Sequence, residues 1–142
     1  MQALLDMAVL NDFSEDYLDP ASDCYTEEIA LGWRLPPGEE PETTLADFAA
    51  GITGFIPGTP PEADYKSANT DVLTLIAAAL SPIPLLAQIE QIADAAGYEG
   101  AFHISLSPEG HPAFSGGGCL SARDLARFGL LFARQGRDIS GA

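Results

Sequence analysis

The sequence predicts a mainly α-helical chain carrying one short β-hairpin. Three observations lead there. Apolar residues recur at helical spacing in several stretches separated by Pro and Gly punctuation. Strand-like alternation occurs at one place only, residues 102–106. Apolar residues make up 46% of the 142 residues and charged ones 19%, a balance that favours a packed core over a disordered chain.

The elements follow in order. Residues 1–7 read as the end of a helix with no capping residue before it, and Leu4, Leu5, Ala8 and Val9 share a face. Asn11-Asp12 and Asp19-Pro20 mark a polar, turn-rich segment. Ser22 or Asp23 then caps a helix expected to run to about residue 33, ended by Leu35-Pro36-Pro37-Gly38. Thr43 or Thr44 opens the next, with Asp47 in its first turn and Leu45, Phe48, Ala49 and Ile52 on one face. Residues 54–64 hold three prolines and two glycines and are expected to form a loop. A helix over about 69–80 presents Val72, Leu73, Ile76, Ala77 and Leu80. Ser81-Pro82 starts another, with Leu85, Leu86, Ile89, Ile92, Ala93 and Ala96 on its face and Gly97 as its stop. Residues 102–106 alternate as a strand, Pro108-Glu109-Gly110 turns, and residues 112–115 are expected to return as its partner. Ser121-Ala122-Arg123-Asp124 has the form of a capping box using Asp, ahead of Leu125, Phe128, Leu131 and Phe132. The whole reads as a single partial domain over 1–142. Two short strands rarely stand alone, so the hairpin implies a larger sheet that these residues do not contain.

Lys and Arg number 6 and Asp and Glu 21, a formal net charge of −15. Such a surface repels phosphate backbones and anionic headgroups, so neither a nucleic-acid nor a membrane partner is expected. No apolar run approaches the ~20 residues of a membrane span. Met1-Gln2-Ala3-Leu4-Leu5-Asp6 has no basic n-region, so the expected location is cytoplasmic. Cys24 and Cys119 lie far apart, and with His103 and His111 they make no zinc set. Gly116-Gly117-Gly118 lacks the Lys-Ser/Thr of a phosphate loop. No cofactor is expected.

The chemistry-bearing candidate is Tyr65-Lys66-Ser67-Ala68-Asn69-Thr70-Asp71, where the Pro-rich loop meets an apolar helix. A tyrosine serving as a base near neutral pH must come down ~3 units from a pKa of ~10. A neighbouring lysine and a helix N-terminus are the right kind of help. The same residues also fit an exposed tyrosine followed by a helix cap at Ser67 or Asn69.

This segment resembles the Tyr-x-Ser/Asn element of the β-lactamase-related serine hydrolases. The likeness is greatest to the class C-like branch that holds the 6-aminohexanoate-dimer hydrolases and their esterase relatives. Three more segments agree in order. Leu4-Leu5-Asp6-Met7 is similar to the helix end after the nucleophile region. Asp12-Phe13-Ser14-Glu15-Asp16-Tyr17 through Asp23, then Gly32-Trp33, is similar to the branch's active-site loop and helix. Gly116-Gly117-Gly118-Cys119-Leu120-Ser121-Ala122-Arg123-Asp124-Leu125-Ala126-Arg127-Phe128-Gly129 is similar to the family's Gly-Gly-x-x-x-Thr/Ser-x-Arg-Asp-Leu-Ala-Arg-Phe-Gly stretch, whose glycines precede a helix.

The resemblance implies a segment of the α/β serine β-lactamase/DD-peptidase fold, and acyl transfer to a serine from a small amide or ester substrate. Tyr65 matches the proton-relaying tyrosine. Ser67 matches the position that orients the catalytic lysine. Tyr17 matches a loop tyrosine that closes on substrate, and Glu28 an acidic position that holds a substrate ammonium. The departures are equally clear. No serine has Lys three residues later, and Lys66 is the sole lysine, so the nucleophilic Ser-x-x-Lys is missing, as is the strand that completes the oxyanion hole. Two other readings compete: a non-catalytic penicillin-recognising homologue, and an acidic helical interaction module. Unpartnered apolar faces such as Leu85/Ile89/Ile92 and Leu125/Phe128/Phe132 are expected to drive self-association.

Overall fold

A computed structural model of the chain describes residues 1–38, 43–54, 58 and 62–139. It is mainly α with a small ladder, as the sequence predicts. The elements are α1 (Gln2–Leu5), α2 (Asp23–Ala30), α3 (Leu45–Gly51), α4 (Ser67–Leu80), α5 (Leu85–Ala96), β1 (His103–Ile104), β2 (Gly118–Cys119) and α6 (Ala122–Ala133). The proline-rich loop expected over 54–64 lies largely outside the described residues. α4 packs against α1, α2 and α3, and α5 packs against α6. The core lies where α2, α3 and α4 meet: Phe13, Cys24, Ala30, Leu31, Leu45, Phe48 and Ala68, with Ala113 from the hairpin. Phe13 and Phe48 meet edge to face at 5.9 Å.

Two caps form as expected. Thr44 Oγ1 accepts from the Asp47 N–H at 2.9 Å, and Ser121 Oγ from the Asp124 N–H at 3.1 Å. Gly97, at φ 74°, ends α5 in the left-handed conformation. Elsewhere the structure differs. α2 stops at Ala30, short of the expected proline run. Gly32, at φ 74°, lets the Gly32 and Trp33 N–H groups turn back onto the Ile29 and Glu28 carbonyls, and this closes the helix. α5 starts at Leu85, because Pro82 and Pro84 hold the preceding residues extended. α4 starts two residues early, at Ser67. Its buried side is also not the apolar one: Ala68, Asp71 and Thr74 are buried, while Leu80 is largely exposed.

The hairpin departs most. The partner of β1 is Gly118–Cys119, in the register His103 with Cys119 and Ile104 with Gly118. Residues 112–115 contribute only the single bridge between Leu106 and Pro112. Pro112 has no N–H to give a ladder, so the chain turns once more before pairing. Gly117 permits that turn. A Cβ there would lie 2.1 Å from Ser105 Oγ and 2.9 Å from both Cβ and O of Ala113. Ser105 is itself held by the Trp33 indole N–H at 2.9 Å. The hairpin docks on the helical part through Glu109, whose carboxylate accepts the Leu45 N–H at 2.9 Å and so supports the start of α3.

Asp124 fastens the entrance to α6. Its carboxylate accepts from the Glu99 and Gly100 N–H groups at 3.0 and 3.1 Å, from the Ser121 hydroxyl at 2.7 Å and from Arg127 at 2.9 Å. The Glu99 N–H, then Ser121, hold its pKa down at about 2. Between α5, the hairpin and α6 an apolar cleft of about 270 Å³, lined by Ile89, Ile92, Phe102, Leu125 and Phe128, opens to solvent. No single helix among the described residues is long and apolar enough to cross a membrane, and α4 and α5 meet at a 100° bend.

Three outcomes are expected. Gly117→Ala should lower the urea midpoint by the equivalent of about 1–3 kcal/mol of overpacking. Gly129→Ala, where a Cβ on α6 meets nothing within 4 Å, should raise it by about 0.5–1 kcal/mol. Asp124→Asn should flatten the acid limb of the stability curve. A depressed carboxylate contributes stability above its unfolded pKa, and that stability is lost as pH falls toward about 2. Urea midpoints across the acid range, parent beside variant, measure it.

Candidate active site

Helix α4 begins behind Lys66, which supplies no side-chain cap. The first N–H of the helix, that of Ser67, donates instead to Glu15 Oε2 at 2.9 Å, across the fold from the turn-rich segment. Ser67 Oγ lies 3.0 Å from that same oxygen and 2.6 Å from Glu27 Oε2 of α2. The other Glu15 oxygen accepts from the Tyr17 hydroxyl. Tyr25 donates to the Tyr17 carbonyl at 2.9 Å and steadies this loop. Glu15 thus joins Tyr17 to Ser67.

A second buried seam runs beside the first. Lys66 Nζ donates to the Asn11 carbonyl at 2.8 Å and to Asn11 Oδ1 at 2.9 Å, and lies 3.6 Å from Asp64. Asn11 Nδ2 donates to Asn69 Oδ1 at 3.2 Å. The segment after α1 is therefore fixed to the first turn of α4 by polar contacts at both Lys66 and Asn69.

The structure brings Tyr17 and Ser67 into one hydrogen-bonded group and sets Tyr65 beside it. Glu28 lies apart, one residue round α2: its carboxylate accepts from Arg34 Nε at 2.7 Å, and Arg34 stacks over the Tyr25 ring. The help expected from Lys66 takes a different form, because its ammonium turns inward to Asn11. Tyr65 is 58% exposed, and its pKa is raised rather than lowered, by partial burial and then by the charges of Glu15, Glu27 and Asp71. Tyr17 is raised too, chiefly because its hydroxyl is committed to Glu15. A tyrosine base here needs a cation that the described residues do not place beside it.

Beneath Ser67 sit two carboxyls, Glu27 at 4% exposure and Asp71 at 0%. Burial, then the neighbouring Asp71, pushes Glu27 up to about 9, against the lowering effect of the Ser67 hydroxyl. Burial raises Asp71 as well. Reading from the sequence missed Glu15, Glu27 and Asp71. For two of them a signal existed. Cys24, Glu27 and Leu31 fall at i, i+3 and i+7, as do Ala68, Asp71 and Leu75, so each carboxyl interrupts a buried helical stripe. Glu15 lies in a segment without periodicity and offered no such signal.

No protein-family model matches the chain. It is similar to the 6-aminohexanoate-dimer hydrolase of Paenarthrobacter ureafaciens, with 33% identity over 136 residues. That alignment takes in 90% of this chain and 32% of the relative, so the chain spans about a third of the relative's length. The similarity supports a β-lactamase-like hydrolase family and no specific member of it. The helices and small ladder are consistent with a segment of that fold.

The raised carboxyl gives an expected outcome. A carboxyl whose folded pKa lies above its unfolded value of 4.5 stabilises most below that value, and the contribution is lost as pH rises toward about 9. Glu27→Gln should therefore gain stability over the parent as pH increases through that window. Urea midpoints at several pH values check this, and a gap that stays constant with pH would mean that Glu27 titrates alike folded and unfolded.

Proposed function

We propose that this chain is the central segment of a serine hydrolase that cleaves small amides or esters by acyl transfer. The observation that carries the reading is the 136-residue similarity to a 6-aminohexanoate-dimer hydrolase. The Tyr17–Glu15–Ser67 group supports it, because it gathers two residues of the resemblance at one helix N-terminus. In this reading the nucleophilic serine and its lysine come from a Ser-x-x-Lys on another part of the same protein. That lysine supplies the cation which the acidic surroundings of Tyr65 call for. Tyr65 then relays the proton to the leaving group, Ser67 orients the lysine, and Tyr17 closes over the substrate. Glu28 would receive a substrate ammonium beside Arg34, which already holds its Oε2. The exposed apolar face of α5 and α6 is where the remaining sheet would pack, and the chain by itself is expected to self-associate there.

One observation favours a second reading, the non-catalytic homologue: Tyr65 is raised, the wrong direction for a base. Fluorophosphonate labelling of the full-length protein separates the two, since a hydrolase is labelled on a serine and a binding protein is not.

Tyr65→Phe should lower turnover of esters and amides alike, by the ~10²–10⁴-fold that a general acid–base group contributes. Tyr17→Phe should spare esters and slow amides, whose leaving nitrogen must be protonated. A matched ester and amide pair measures both. Near-normal ester turnover in Tyr65→Phe would remove Tyr65 from the mechanism.

A further inference from the structure

We infer that Glu27 and Asp71 form a carboxyl pair holding a single proton, and that this pair positions the Ser67 hydroxyl for the acyl transfer proposed above. The catalytic meaning rests on that functional reading, whereas the shared proton rests on geometry.

Ser67 Oγ carries one hydrogen and faces two carboxyl oxygens, Glu27 Oε2 at 2.6 Å and Glu15 Oε2 at 3.0 Å. Glu15 Oε2 already receives the Ser67 N–H at 2.9 Å. The hydroxyl hydrogen therefore goes to Glu27, the nearer oxygen, and the lone pairs of Ser67 Oγ remain as acceptors beside Glu15. Deeper in, Glu27 Oε1 and both oxygens of Asp71 are buried with no hydrogen-bond partner among the described residues. Two adjacent buried carboxylates do not both stay ionised, because each loses its hydration and repels the other. One proton between Glu27 Oε1 and one Asp71 oxygen gives those two acceptors a partner, leaves the other Asp71 oxygen to the Ser115 hydroxyl beside it, and leaves Glu27 Oε2 free to accept from Ser67.

The neighbouring charged groups favour that proton. Glu15 faces the pair from the loop and acts against a second negative charge, while Tyr65, raised above its ordinary pKa, faces it as a neutral phenol. Lys66, the nearest cation of α4, is engaged by Asn11 and Asp64. On α3, Asp47 is held at the helix start by Thr44. The buried hydroxyl of Ser115 beside Asp71 can donate a hydrogen bond but brings no charge. The pair also joins α2 to α4, so it fixes where Ser67 stands relative to Glu15.

The test uses the full-length protein with two readouts. Infrared spectra at neutral pH should show a protonated-carboxyl carbonyl band that disappears in Asp71→Asn, whose amide supplies the hydrogen permanently. Asp71→Asn should remove the alkaline limb of the ester pH–rate profile that ionisation of the pair produces. Glu27→Leu should lower kcat by about 10²-fold with little change in KM, the scale of a misplaced positioning contact. Circular dichroism confirms that each variant is folded, and Glu27→Ala, which also removes the acceptor for the Ser67 hydroxyl, stands in if Glu27→Leu is not. Absence of the band in the parent overturns the inference whatever the activity. A band with unchanged kcat in Glu27→Leu overturns the positioning role. A parent protein that shows the band but neither turns over esters nor takes the fluorophosphonate defeats the hydrolase reading and the catalytic role with it, and upholds the shared proton.

Discussion

Helix α4 starts with free N–H groups and no side-chain cap of its own, so its first turn must be satisfied from elsewhere in the chain. Glu15 meets that need, from a loop more than fifty residues upstream. A carboxylate at a helix N-terminus is favoured by the helix dipole as well as by the hydrogen bond. The consequence is structural and chemical at once. The loop carrying Tyr17 is drawn onto α4, and Ser67 is placed between Glu15 and Glu27. The Asn11 seam beside it serves the same end, since Lys66 and Asn69 hold the start of the loop as Glu15 holds its middle.

This arrangement explains the unusual face that α4 buries. A helix that is apolar nearly all round is normally covered on every side. Here the side carrying Asp71 and Thr74 is covered by the rest of the described chain, and Leu80 is not. Apart from Asp71, the buried polar groups on that side are matched by others. Ser67 has Glu15 and Glu27, Asn69 has Asn11, and Thr74 donates to the Thr70 carbonyl. The exposed side of α4 and the open cleft beside α5 and α6 fit a chain that spans about a third of its relative's length.

Much of the fold was legible because its signals are local. The caps at Thr44 and Ser121 and the stop at Gly97 each depend on a few consecutive residues. The errors came from one local stop outweighed by a stronger-looking one and from places where distant segments decide. Gly32 ends α2 by turning two N–H groups back on the helix, whereas the proline run farther on looked the stronger stop. The partner of β1 could not be chosen without seeing that Pro112 lacks a donor and that Gly117 clears Ser105. At the site, Tyr17, Tyr65 and Ser67 were legible as a motif, and the structure brings Tyr17 to Ser67. What joins them was not, because Glu15, Glu27 and Asp71 gain their importance only when a loop and two helices converge.

The central claim is that the Glu15–Ser67 contact fixes the loop to α4. Native-state hydrogen exchange tests it directly, following the Ser67 amide in the parent and in Glu15→Ala. The account predicts that Glu15→Ala loses protection at Ser67 and in the first turn of α4 while the amides of α6 keep theirs. Unchanged protection at Ser67 in Glu15→Ala would contradict it.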